Sequence, residues 1–134
     1  MRVLLADDQP QVCSALRLLL EQDPEMNVVG EAAKAEDLLA QVGATRPDLL
    51  LLDWELPGLQ PTNPLLPALR ALCPRLSVIA LSGRPEMCRA ALAAGADAFV
   101  SKGDPPERLL SAVNDCWRNR RKGDDEGTRK NQLA

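Results

Sequence analysis

Histidine and tyrosine are both absent from the 134 residues. The first absence removes Ser-His and Cys-His nucleophile pairs, and imidazole as a metal ligand. Trp54, Phe99 and Trp117 are the whole aromatic set, so the core must be aliphatic, built from Leu, Val and Ala. No stretch approaches the roughly 18 apolar residues of a membrane span. The N-terminus carries one basic residue and meets Asp7 and Asp8 before any signal-peptide core could form. A soluble, cytoplasmic chain is expected. Cys13, Cys73, Cys88 and Cys116 show no C-x-x-C spacing and read as reduced thiols acting as small hydrophobes. With imidazole missing and no paired thiols, carboxylates must carry the chemistry.

What is present is globular. A content of 46% hydrophobic and 26% charged residues over 134 positions suits one domain with a real core. The net charge of -3 is unevenly spread: residues 1–117 hold 10 basic and 16 acidic side chains, residues 118–134 hold 6 and 3. The acidic body excludes a basic nucleic-acid face. The basic end reads as a solvated segment.

Short apolar runs alternate with amphipathic stretches. Strands are expected at Val3–Ala6, Asn27–Gly30, Leu49–Leu52, Leu76–Leu81 and Ala98–Val100. A first helix starts near Pro10, with Val12, Leu16, Leu19 and Leu20 on one face. A second spans Ala35–Val42, closed by Gly43, and an Ala-rich one runs Pro85–Ala94 to Gly95. The last has Asp104 as cap, Pro105 in its first turn and Glu107 three residues on, with Leu109, Val113, Cys116 and Trp117 as its buried face. Strands apolar along their whole length mean a parallel sheet covered on both faces, an α/β doubly wound fold. In such sheets a site forms beyond the carboxyl ends of the strands. Asp7-Asp8, Asp53, Ser82 and Lys102 follow strands one, three, four and five, so all point to one edge.

Three carboxylates at one edge repel one another unless a cation joins them. A hard divalent ion such as magnesium, which takes carboxylates, waters and phosphate oxygens, resolves this. Lys102 is a mobile point charge able to pair with a phosphoryl oxygen, and Ser82 offers a hydroxyl donor. Together they describe phosphoryl transfer with a carboxylate nucleophile.

Asp7-Asp8, Asp53-x-x-x-Pro57-Gly58, Ser82-Gly83 and Phe99-x-x-Lys102, each after its own strand, resemble the receiver domain of two-component response regulators. The resemblance spans residues 2 to about 119. It implies a flavodoxin-like (βα)5 fold with Asp53 as phosphoacceptor. It further implies a Mg2+ site of Asp7, Asp8, Asp53 and the backbone carbonyl of Glu55. Lys102 would grip the phosphoryl group, Ser82 would move to bond it, and Phe99 would turn inward. The implied partner is a sensor histidine kinase or phosphotransfer protein, with no membrane or nucleic-acid contact by the domain itself. The Ala90, Ala91, Ala93, Ala94 and Ala96 surface would serve a phosphorylation-promoted homodimer or a partner. Glu55 and Arg84, each two residues past a site residue, are expected to pair across the mouth as a gate.

Two departures stand out. Pro61 occupies roughly the family's usual glycine place in a segment with prolines at 61, 64 and 67, so an unusual loop and a short third helix are expected. Gly103 replaces the proline usual after the lysine, and a cis peptide there is not assumed. Two other functions compete. An aspartyl-phosphate hydrolase would need a general acid–base beside Asp53, for which Glu55 is the only candidate, and a phosphorylation-independent interaction module would not need the intact acidic set. The expected organisation is a receiver at 1–119 and a flexible charged tail or linker at 120–134, either a stand-alone receiver or part of a longer transcription regulator. No enzyme activity beyond self-phosphorylation and self-dephosphorylation is expected.

Overall fold

The computed structural model describes the backbone of residues 1–59 and 65–133 and the side chains of residues 1–59 and 65–120. Five strands, β1 (Arg2–Ala6), β2 (Asn27–Ala32), β3 (Leu49–Asp53), β4 (Ser77–Ser82) and β5 (Ala98–Ser101), form one parallel sheet in the order β2-β1-β3-β4-β5. The helices are α1 (Pro10–Leu20), α2 (Leu38–Thr45), α3 (Leu65–Leu72), α4 (Cys88–Ala93) and α5 (Pro106–Leu133). Short 3-10 turns at Ala35–Asp37 and Pro85–Met87 lead into α2 and α4.

The apolar strands read as they do because both faces are covered. Leu4, Leu50, Leu52, Val78 and Ala80 pack under α2, α3 and α4. Val3, Leu5, Leu49, Leu51 and Ile79 pack under α1 and α5. Alternate side chains leave opposite faces of a strand, so an unbroken leucine run feeds two cores at once. Each fully buried leucine contributes about 2 kcal/mol by leaving water. The largest wholly buried side chains are all Leu, Ile or Val, and Trp54 and Phe99 pack at the margin of one cluster.

Several boundaries moved. Gly43 does not close the second helix: α2 continues to Thr45, and Arg46 takes the left-handed conformation with φ 48°. The buried centre of α1 is Cys13 and Leu20, with Val12, Leu16 and Leu19 half-buried beside them. Asp104 does not cap α5, because its carboxylate turns back to accept the Ser101 N–H at 3.1 Å. Helix α3 covers Leu65–Leu72, whereas the unusual loop expected around Pro61 and the start of the short third helix lie outside the described residues. Gly95 ends the α4 turn as expected, with φ 111°. Among the described residues no peptide bond is cis. Helix α5 passes residue 119 without a break, so the expected boundary between body and tail falls inside one helix.

Candidate functional site

The sheet order reverses between β1 and β3, the strands whose carboxyl ends open a crevice. Ala6 is level with Leu52 there, and Asp53 with Leu81 on the next strand. Asp7 therefore leaves β1 beside Asp53 at the end of β3. Asp7 is held by β2 and by its own loop: its N–H donates to the Ala32 carbonyl at 3.0 Å, and its Oδ1 accepts the Gln9 N–H at 2.9 Å. Asp53 Oδ1 accepts the Glu55 N–H at 3.0 Å. Both aspartates are buried, while Asp8 stands exposed at the rim.

Lys102 lies between them, its Nζ 2.8 Å from Asp7 Oδ2 and 3.3 Å from Asp53 Oδ1. Its position follows from β4 and β5, because the Lys102 N–H donates to the Ser82 carbonyl at 2.8 Å. Burial alone would lower the lysine pKa, but its bond to Asp7 and the Asp53 charge raise it above the ordinary value. Asp53 is pushed up to about 6, chiefly by burial and further by the Glu55 side chain and the Asp7 charge. The Glu55 N–H and Lys102 oppose that rise.

One ammonium does not balance the acids at this edge. Asp7, Asp8 and Asp53 each offer an oxygen within 4.8 Å of the others. Asp7 Oδ2 is buried, and the Lys102 ammonium that faces it is shared with Asp53. Three carboxylates against one ammonium make a hard-oxygen set that fits a divalent cation such as magnesium.

Ser82 ends β4, wholly buried. Its hydroxyl donates to Glu55 Oε1 and accepts the Arg84 N–H at 3.0 Å. The expected pairing of Glu55 with Arg84 is not formed. Arg84 Nε meets Glu86 Oε1 at 3.1 Å, within its own turn and in open solvent, while Glu55 folds inward to the serine. Phe99 is half-buried against the α2–α4 core. Ala91 and Ala96 face the interior, so the expected alanine surface reduces to Ala90, Ala93 and Ala94 beside exposed Leu92. Reading the sequence missed the Glu55–Ser82 bond. The signal available was an acid two residues past Asp53, but side-chain direction is not encoded in spacing.

The family model for the response regulator receiver domain matches residues 3–114. The chain belongs to that family. Similar curated proteins include the nitrate/nitrite response regulator NarL of Escherichia coli, 35% identical over 114 residues, 84% of this chain and 52% of that protein. Another is the DNA-binding transcriptional activator DevR/DosR of Mycobacterium tuberculosis, 35% identical over 122 residues, 89% of this chain and 55% of that protein. The chain spans about half the length of the curated relatives it matches. Among solved structures, a LuxR-family two-component response regulator from Aurantimonas superposes with TM-score 0.75 at 28% identity, covering 84% of this chain and 81% of that one. The isolated receiver domain of Salmonella RcsB, solved with the phosphomimetic BeF3-, gives 0.73 at 30% identity, covering 85% and 86%. This receiver thus has the doubly wound fold of its relatives. No helix among the described residues is long and apolar enough to cross a membrane.

Proposed function

We propose that this receiver accepts a phosphoryl group on Asp53 from the phosphohistidine of a sensor kinase or phosphotransfer protein. The observation that carries the reading is the charge imbalance at the β1–β3 edge: three converging carboxylates with one lysine between them. Asp8 and Asp53, with Asp7 beside them and the Glu55 main-chain carbonyl, would hold magnesium. Bound there, the ion supplies charge neutralisation for the phosphoryl oxygens.

The residues themselves set the geometry. The Glu55 N–H and Lys102 both engage Asp53 Oδ1, leaving Oδ2 to form the new P–O bond. As that bond forms, the P–N bond of the donor breaks, and the departing imidazole nitrogen keeps the electron pair and takes a proton from water. At neutral pH Asp53, titrating near 6, is mostly the carboxylate the attack requires. Lys102 then exchanges a carboxylate partner for a phosphoryl oxygen at little displacement. Ser82 and Phe99 would follow the new group, re-shaping the β4–α4 and β5 surface that a partner or second copy reads. The receiver unit is residues 1–119, with 120–134 as the connecting segment. The relatives named as transcriptional regulators suggest a DNA-binding output elsewhere in the whole protein. A cytoplasmic location fits four free thiols.

Labelling with acetyl phosphate tests the reading. One phosphoryl group per chain should be incorporated with magnesium, lost at alkaline pH, and absent from Asp53→Asn. Stoichiometric labelling of that variant, or labelling in excess chelator, would overturn it.

A further inference from the structure

The Ser82 hydroxyl has a single proton, and in this structure that proton goes to Glu55. The hydroxyl oxygen also accepts the Arg84 N–H at 3.0 Å. Ser82 is wholly buried, so water does not offer its hydroxyl another partner. Glu55 is different. Its residue is exposed at the rim, tethered by its own N–H to Asp53 Oδ1, and only its carboxylate reaches inward. A carboxylate thus holds the serine hydroxyl from a residue whose backbone is tied to the nucleophile, where oxygens of a phosphoryl group on Asp53 would seek the same hydroxyl.

We propose that Glu55 is a built-in competitor for the phosphoryl group: its carboxylate occupies the Ser82 hydroxyl and holds that serine off until the phosphoryl group displaces it. The proposal rests on Asp53 being the phosphoacceptor. It replaces the idea of a Glu55–Arg84 gate with a contact inside the site. Two features make the exchange workable. The released carboxylate moves to solvent that its exposed residue already touches, so it is not left buried and unpaired. The serine passes from one anionic acceptor to another and keeps a charge-assisted bond in both states. Glu55 therefore sets the threshold between them: the tighter it holds Ser82, the more strongly an incoming group must bind.

Beryllofluoride, titrated in the presence of magnesium and followed by tryptophan fluorescence, reads that threshold as a binding affinity without turnover. Glu55→Ala removes both the charge and the acceptor and should tighten beryllofluoride binding about tenfold, the scale of one charge-assisted hydrogen bond. Glu55→Gln keeps an acceptor for the hydroxyl while removing the charge, and should recover only a minor part of that gain. In a Ser82→Ala background, where there is no hydroxyl to compete for, Glu55→Ala should lose most of its effect. A Glu55→Gln gain equal to that of Glu55→Ala would overturn the proposal in favour of simple charge repulsion. So would an equal Glu55→Ala effect with and without the Ser82 hydroxyl. Failure of the parent reading looks different: no variant, nor the native chain, would then bind beryllofluoride, and Asp53→Asn would behave as the native chain does.

Discussion

The two ends of the sheet both set aspartates against basic side chains and reach opposite outcomes. At the amino end, Asp48 Oδ2 accepts the Arg2 N–H at 2.8 Å, and its Oδ1 accepts Arg120 Nη2 at 2.9 Å. Nearby, Asp97 Oδ2 takes both Arg70 Nη2 and the Val78 N–H at 2.7 Å. Each carboxylate there has its own guanidinium and a backbone donor, so the charges close and tie α5 and α3 to the strands. At the carboxyl end, three carboxylates share one ammonium. A balanced cluster is a staple, whereas an unbalanced one awaits a ligand. Fixed arginine forks suit the first role, and a flexible lysine point charge suits the second.

If that contrast is right, removing a charge should have opposite signs at the two ends. The largest effect is expected at the balanced end. Asp48→Ala strips both acceptors from a pair only 27% and 15% exposed and leaves Arg120 without its carboxylate. We expect a loss of about 2–3 kcal/mol in urea unfolding. Arg120→Ala should cost a similar amount, and the double variant less than the two together. A change under about 0.5 kcal/mol for Asp48→Ala would remove the staple from the comparison.

At the crowded end the sign reverses. The Asp53 pKa is raised in the fold from 3.8 to about 6, so between those values the native chain binds the proton more tightly than the unfolded one. Its contribution to stability is complete below the unfolded pKa and is lost as pH rises through the folded one. Asparagine resembles the neutral form at every pH. Without divalent ions, Asp53→Asn should therefore stabilise the protein at pH 7.5 by about 2 kcal/mol, with the gain vanishing near pH 4. Thermal melts across that range measure it directly. A variant less stable than the native chain at pH 7.5 would mean that Lys102 already balances the site.

The smallest effect belongs to Arg84, whose partner Glu86 is in open solvent, both side chains being over 60% exposed. Arg84→Ala should leave the melting temperature unchanged and alter acetyl-phosphate labelling by less than about twofold, less still at high salt. A larger rate change, persisting in salt, would place Arg84 inside the site and blur the contrast.

The regions legible in the sequence share a cause. Val3–Ala6 and Leu49–Leu52 are apolar runs ending in acids, and both the strand and the polar end can be read without knowing what lies opposite. The convergence of Asp7, Asp8, Asp53, Ser82 and Lys102 followed from one topological rule applied to those ends. Asp104 shows where this stops. Its local pattern fits a helix cap, yet the competing Ser101 N–H lies three residues away in the turn and takes the carboxylate. Arg46 shows it again, holding a left-handed conformation three residues past the glycine that offered itself as the helix end. The Asp48–Arg120 pair joins positions 72 residues apart, beyond the reach of any local pattern.

By itself the sequence determined the strands, their burial on both faces and the edge at which the acids and the lysine would meet. These rest on side-chain hydrophobicity and a period of two, properties of short segments. Only the tertiary structure decided which polar group pairs with which across the chain: Glu55 with Ser82 and not Arg84, and Arg120 with Asp48. Long polar side chains have several partners within reach of their rotamers, and the choice among them turns on ångström distances that exist only once all five strands are in register.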